Sequence, residues 1–328
     1  MASWQDILET EYKRNPEISH IDFINRYENL VPGPTRDAKI HKIKRKLERL
    51  KSSFSDDNRD NKNKKVEKVY ENIFEPSIVD LDTKQKTITF GLIGDTHFNS
   101  KYCQITYLHK FYDLCKQQDI TTIYHTGDID DGENMRPGHA YENYTQGADE
   151  HINEIIKNYP CVEGIDTYFI TGNHDASYRK HCGFDIGRQI EKERKDLHCL
   201  GRDLAIINIT PKISMMLRHP WTGSAYALSY RPQKMIEAME AGCVNKPDIL
   251  CIGHFHKMEY LYYHGVHTLQ TGCFQSATPF TVGKGISVSL GGWVVSVKLD
   301  SNGEIETITP TAITYTNAIK DDYKNYSR

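Results

Sequence analysis

Apolar residues recur along the chain with two different periods. Over residues 1–51 the spacing is helical. Trp4, Ile7, Leu8 and Tyr12 share one face behind a capping Ser3, and Pro16 ends that run. Ile21, Ile24 and Tyr27 form a second stripe. Val31-Pro32-Gly33-Pro34 is a turn, because two prolines and a glycine cannot continue a helix. Thr35 then caps a third helix whose apolar stripe is Ile40, Ile43, Leu47 and Leu50. Residues 52–65, SSFSDDNRDNKNKK, have no apolar period and read as a polar linker, followed by one more helix or an extended lead-in over 66–75.

From about residue 77 the pattern changes to β-rich apolar runs alternating with helical stretches. Strands are predicted at Thr87–Ile93, Thr121–His125, Ile165–Ile170, Ile213–Leu217 and Asp248–Ile252, with short strands around 259–271 and 286–299. Helices are predicted over Gln104–Lys116, through His151–Asn158, and over Pro232–Ala241 with Gly242 just past its end. Early β-α-β units followed by a strand-rich end predict an α/β sandwich. The chain divides into a helical head (1–51), a linker (52–76), a main domain (77–318) and a tail (319–328).

Composition narrows the class. Among 328 residues, 38% are hydrophobic and 26% charged, as in a globular protein with a core. No apolar run is long enough to span a membrane, and no secretory signal is visible. The eight cysteines form no C-x-x-C pair and read as reduced thiols of a cytoplasmic protein, which argues against a cysteine-zinc module. Residues 1–68 carry a charge of +4 and the remainder −7. A basic head on an acidic body suggests separate tasks. The pattern offers no clear hydrophobic face from which to argue an oligomer.

The candidate chemistry sits where strands end. Gly94-Asp95-Thr96-His97, Gly127-Asp128-Ile129-Asp130-Asp131, Gly172-Asn173-His174-Asp175, Arg218-His219-Pro220 and Gly253-His254-Phe255-His256 each follow a predicted strand. Open α/β sheets place their sites in such loops. Asp95 and His97 are two apart, as are His254 and His256, and in an extended segment such pairs project the same way. Oxygen and imidazole donors without thiolate select Mn²⁺, Fe²⁺ or Zn²⁺ over Ca²⁺. These ligands are too many for one ion, and two ions sharing a carboxylate would use them well. Such a centre suits displacement at phosphorus, making a hydroxide nucleophile and neutralising phosphate charge.

The ordered blocks D-x-H, G-D-x-x-D, G-N-H-D, H and G-H-x-H resemble the calcineurin-like metallophosphoesterase superfamily over roughly residues 86–300. The resemblance implies a four-layer α-β-β-α fold, here preceded by a small helix-turn-helix-like head. It implies that Asp95, His97 and His256 hold one metal ion and Asn173, His219 and His254 a second, with Asp128 shared. It assigns His174 as the acid that protonates the leaving oxygen and Asp131 as the carboxylate orienting that histidine. The ions are expected to be Mn²⁺, with Fe²⁺ or Zn²⁺ as alternatives.

Departures from relatives bear on substrate. Gly132 and Asp175 stand where the Ser/Thr protein phosphatases of the superfamily carry Arg and Glu, which argues against a protein phosphatase. The form of the blocks is similar to the branch with phosphodiesterases and DNA-repair nucleases. Cys273-Phe274-Gln275, Thr278-Pro279-Phe280 and Gly291-Gly292-Trp293 resemble phosphoesterases of bacteriophage and bacteria, which suggests a bacterial or phage-infected cytoplasm. The expected function is a phosphodiesterase acting on DNA. In the head, Arg36, Lys39, Lys42, Lys44, Arg45, Lys46 and Arg49 could contact phosphates, the alternative being a small helical cap with solvated charged faces or a dimerisation element. The alternatives are a phosphodiesterase or phosphatase for small nucleotides or other small phosphates, and a DNA-binding adaptor with a structural metal site. His125 is read as a strand-end core residue. His139 and His181 lie in loops near the site and are read as solvated loop histidines, with substrate contact the alternative. Arg136, Arg179, Lys180, Tyr141 and Tyr144 are read as surface residues, with substrate contact the alternative.

Overall fold

The computed structural model describes residues 77–81, 85–223, 225–242 and 245–326, together with Ile7, Leu8, Thr10, Arg26, Asn29, Val31 and Ile43. The chain divides into two compact units, Met1–Glu75 and Pro76–Arg328. In the first, Ile7 and Leu8 are helical, and Leu8, Val31 and Ile43 are buried. The rest of the predicted three-helix head, the linker and the basic residues Arg36, Lys39, Lys42, Lys44, Arg45, Lys46 and Arg49 lie outside the described residues.

The second unit is built on two six-stranded sheets. Its strands are β1 (Ser77–Asp80), β2 (Thr87–Ile93), β3 (Thr122–His125), β4 (Asp166–Thr171), β5 (Leu197–Arg202), β6 (Leu204–Thr210), β7 (Ile213–Arg218), β8 (Ile249–Ile252), β9 (Met258–Tyr263), β10 (Val266–Thr271), β11 (Gly291–Leu299) and β12 (Ile305–Thr314). Its helices are α1 (Ile105–Gln117), α2 (Ala148–Asn158), α3 (Ser177–Cys182), α4 (Ile186–Glu193), α5 (Tyr230–Ala241) and α6 (Pro279–Gly283). One sheet has the order β12-β11-β2-β3-β4-β5, and the other β1-β6-β7-β8-β10-β9. Strands β2 to β5 run parallel, as do β7 and β8.

The four layers follow from which side chains must leave water. Phe90, Leu92, Tyr124 and Val295 of one sheet face Ile207, Leu217, Ile249 and Leu269 of the other. Each such side chain contributes roughly 1.5–3 kcal/mol on burial. Helices α1, α2 and α4 cover the outer face of the first sheet through Leu108, Phe111, Ile152, Ile155 and Ile190. Helix α5 covers the second through Ile236, against Met216, Leu250 and Ile252. Strand β8, with both faces covered, is apolar and buried throughout, as a central parallel strand should be.

The structure differs from the sequence pattern at the margins. Strands β1, β5, β6 and β12 were not predicted. Strand β12 is an edge strand whose side chains are all half-buried or exposed, so it carries little apolar signal. Residues 319–326, expected as a tail, pack on the core. Asp322 is fully buried and accepts from the Thr106 backbone N–H at 2.7 Å and its hydroxyl at 2.6 Å. Helix α1 has no cap from its own Gln104 side chain, so Asp322 supplies it from the far end of the chain. Tyr323 stacks on Tyr144, and Tyr326 on His109. Asp322→Ala is expected to cost about 1–3 kcal/mol, as a lost cap plus buried donors left bare, read as a lower urea midpoint with unchanged slope.

Candidate metal centre

The predicted blocks leave the carboxyl ends of strands from both sheets. Asp95 and His97 follow β2, Asp128 and Asp131 follow β3, and Asn173 and His174 follow β4. His219 follows β7, and His254 and His256 follow β8. The structure brings all of them together. Asp95, His97 and His256 place one donor atom each within 4.8 Å of one another, and so do Asp128, His219 and His254. Asn173 joins the second group, its Oδ1 3.0 Å from His219 Nε2. Asp128 Oδ2 stands 3.1 Å from His219 Nε2 and 3.9 Å from His97 Nε2, between the groups.

Hydrogen bonds outside the cluster decide which ring nitrogen faces in. His97 Nδ1–H donates to Asp131 Oδ1 at 2.9 Å, leaving Nε2 for the cluster. His219 Nδ1–H donates to the Thr126 carbonyl at 2.8 Å. His254 Nε2–H donates to the Thr222 carbonyl at 2.9 Å, which turns Nδ1 inward. Lone pairs and carboxylate oxygens therefore converge: His97 Nε2 lies 3.0 Å from His256 Nε2, and His256 Nε2 lies 3.5 Å from Asp95 Oδ1. Such donors repel unless a cation lies among them, and the set fits divalent ions that take nitrogen and oxygen. The field here is strongly negative. Burial opposes a charge on His219, but Asp128 outweighs it and lifts His219 to about 9. Burial likewise opposes the charge on Asp128, while His219 and His174 hold its carboxyl well below the usual range.

The backbone explanation for the paired ligands changes. An extended segment was expected, but Asp95 and His97 have φ of 51° and 48°, and His254 and His256 77° and 54°. Asp128 is also left-handed, at 55°. The pairs converge because the chain coils tightly there. Each such residue costs roughly 1–2 kcal/mol, and this kind of strain gathers at functional sites. The loops are locked in return. His97 N–H donates to the Asp128 carbonyl, and His254 N–H donates to the Asp95 carboxylate at 2.8 Å. Asp175 accepts from the N–H groups of Ile129, Asp130 and Gly172, tying the second block to the third. At Gly172 a Cβ would lie 2.3 Å from Asp128 Oδ1 and 2.7 Å from the His219 ring, so only glycine fits.

His174 sits at the rim with its side chain 19% exposed. Its Nδ1–H donates to the main-chain carbonyl of Asp131 at 2.5 Å. The Asp131 carboxylate, expected to orient this histidine, has its nearer oxygen 3.8 Å away, and that oxygen hydrogen-bonds His97. Burial lowers the His174 pKa, with Asp128 pulling the other way.

Other residues resolve differently. His125 is buried: the Gly127 N–H donates to its Nδ1 and its Nε2–H faces Thr96, so it is a neutral core histidine whose burial drives it to about 3. His139, read as a solvated loop residue, is buried with Nε2 3.1 Å from Asp131 Oδ2. Nothing in the sequence around it signals this. His181 is exposed and turns to its own helix. Tyr141 is exposed, whereas Tyr144 packs on Tyr323. Lys180 lies over the Trp221 ring, and Arg179 is half-buried.

One buried pair behind the site was not foreseen. Asp130 and His151 meet at 2.9 Å, and Tyr178 donates to the same carboxylate at 2.8 Å. Burial lowers the His151 pKa, but Asp130 overrides it and lifts it from 6.5 to about 9. A folded value above the ordinary one gives stability that is complete below pH 6.5 and lost as pH rises through about 9. His151→Gln should therefore be less stable than wild type at pH 6.5, by about 3–5 kcal/mol if it leaves Asp130 unpaired, with the gap shrinking by pH 9.5 in urea titrations.

The donor cluster opens into a cleft of about 500 Å³. Its lining includes Asp128, Asn173, His174, His254 and His256 together with Met135, Arg136, Phe280 and Lys284.

Two packed sheets carrying a histidine–carboxylate cluster at their carboxyl ends define a phosphoesterase-type metal centre. The chain belongs to the calcineurin-like phosphoesterase superfamily, whose domain model matches residues 88–283, more than half of its length. Among solved structures it is similar to an archaeal phosphodiesterase at 14% identity, covering 69% of this chain and 100% of that one, TM-score 0.39. It is similar also to zinc-bound Vps29 from Entamoeba histolytica at 15% identity, covering 69% of this chain and 99% of that one, TM-score 0.35. A predicted phosphoesterase from Streptococcus pneumoniae shares 12% identity over 70% of this chain and 99% of that one, TM-score 0.33. No curated protein matches the sequence. The superfamily uses divalent metals in phosphoester hydrolysis. Among the described residues, no helix is long and apolar enough to cross a membrane, and the described cysteines are free thiols.

Proposed function

We propose that the protein is a binuclear-metal-dependent phosphodiesterase that acts on DNA. The cleft supports this reading: its lining combines the candidate metal-ligand side chains with basic and aromatic residues. Arg136 lies over the Phe280 ring at 4.7 Å and pairs with Glu142 at 2.5 Å, so its guanidinium is held at the rim. Phe280 is 42% exposed, and Lys284 is exposed beside it. Arginine and lysine attract phosphates, and an aromatic face with a guanidinium accepts bases by stacking. A monoester needs only the donor cluster, whereas a nucleotide diester also uses the basic and aromatic residues.

In this reading Asp95, His97 and His256 hold one ion and Asn173, His219 and His254 the other, with Asp128 common to both. Mn²⁺ is the first choice, and Fe²⁺ or Zn²⁺ also suit the donors. When bound, the ions supply a nucleophile from water near neutral pH and neutralise phosphate charge. The chain's own residues do the rest. The Asp131 carbonyl fixes the His174 tautomer with Nδ1 protonated, so Nε2 is the atom that carries a proton to the leaving oxygen. The head, with Arg36, Lys39, Lys42, Lys44, Arg45, Lys46 and Arg49, delivers DNA by phosphate contacts. Free thiols fit a reducing cytoplasm, that of a bacterium or a phage-infected host.

End-labelled single- and double-stranded DNA, incubated with the protein in Mn²⁺, should be cleaved. His174→Ala should lower turnover about 10²–10⁴-fold. Replacing Arg36, Lys39, Lys42 and Arg45 by alanine should weaken DNA binding and flatten its salt dependence. Intact DNA alongside hydrolysis of bis(p-nitrophenyl) phosphate would move the substrate to small diesters. DNA binding without hydrolysis of either substrate, unchanged by His174→Ala, would point to a DNA-binding adaptor.

A further inference from the structure

His139 lies outside every block of the superfamily pattern, in the loop between β3 and α2. It is 1% exposed, on a single turn of 3₁₀ helix that Gly138 opens with φ of 82°. Its Nε2–H points to Asp131 Oδ2 at 3.1 Å. Among the described residues its Nδ1 meets no partner. A buried ring with one nitrogen unpaired costs stability, so its value must lie in the bond it does make.

That bond completes a short chain of contacts. Asp131 is 2% exposed and spends Oδ1 on His97 Nδ1 and on Gln275 Nε2, each at 2.9 Å. Oδ2 is left to His139. The same aspartate holds His174 through its carbonyl, and the His139 ring packs edge-on against His174, 5.8 Å between centroids at 72°. Without His139, Oδ2 becomes a bare buried carboxylate oxygen. The carboxylate is then free to rotate, which withdraws it from His97.

We infer that His139 is a positioning residue: it clamps the Asp131 carboxylate and thereby sets His97 and His174, whose rings meet edge-to-face with centroids 4.6 Å apart. Direct partners of a metal-ligating histidine, as Asp131 is of His97, are typically worth roughly 10–100-fold in metal affinity, and His139 acts through that partner.

The test is calorimetric titration of the metal-free full chain with Mn²⁺, alongside kcat and KM for bis(p-nitrophenyl) phosphate. His139→Ala should weaken Mn²⁺ binding by about 10–100-fold and lower kcat while leaving KM near wild type. His139→Gln keeps an N–H donor and should recover most of the affinity. On an Asp131→Asn background, His139→Ala should cost nothing further, because both changes break one chain of contacts. Should His139→Ala not fold, His139→Met takes its place, filling the space without a donor. Wild-type Mn²⁺ affinity in a folded donor-less variant would overturn the inference. So would His139→Gln failing as badly as the donor-less variant, or losses that multiply with Asp131→Asn.

Discussion

The Asp128 carboxylate is fixed where two groups of electron-pair donors meet, one delivered by β2 and β8 and the other by β4, β7 and β8. The His174 backbone N–H holds its Oδ1 at 2.8 Å, and Oδ2 faces His219 at 3.1 Å. Burial opposes the charge on this carboxylate, and it is held only where positive charge stands beside it. The demand for positive charge therefore organises the site. It explains why β7 and β8 of one sheet must end beside β2, β3 and β4 of the other, and why Gly172 has no room for a Cβ.

Meeting that demand strains the backbone. Asp95, His97, Asp128, His254 and His256 all take left-handed φ, which the fold tolerates because the loops are tied from behind. Asp175 gathers three backbone N–H groups, Asp130 pairs with His151 and Tyr178, and Asp131 is held by His97, His139 and Gln275. Carboxylates thus do two separate tasks here. Asp95 and Asp128 face the histidine donor cluster, while Asp130, Asp131 and Asp175 hold loops in place. Both kinds are buried, and only partners tell them apart.

Much of this was legible in the sequence. The boundaries of β2 agree with the pattern, and the ordered blocks named the side chains that converge. Local pattern suffices where a strand end and a glycine set the geometry. It misled where the argument assumed extended backbone for Asp95–His97 and His254–His256. It was silent where the decisive partner is remote. Asp322 caps α1 across most of the chain, and His139 reaches Asp131 only because of how a polar loop folds back. Strand β12 is an edge strand that buries too little to leave a period.

The central claim is that these donors form two adjacent sites with Asp128 common to both. Anomalous diffraction from Mn²⁺-soaked crystals tests it most directly. The account predicts two peaks per chain about 3.5–4 Å apart, one beside Asp95, His97 and His256 and one beside Asn173, His219 and His254, with Asp128 between. A single peak at saturating Mn²⁺, or two peaks that do not share Asp128, would contradict it.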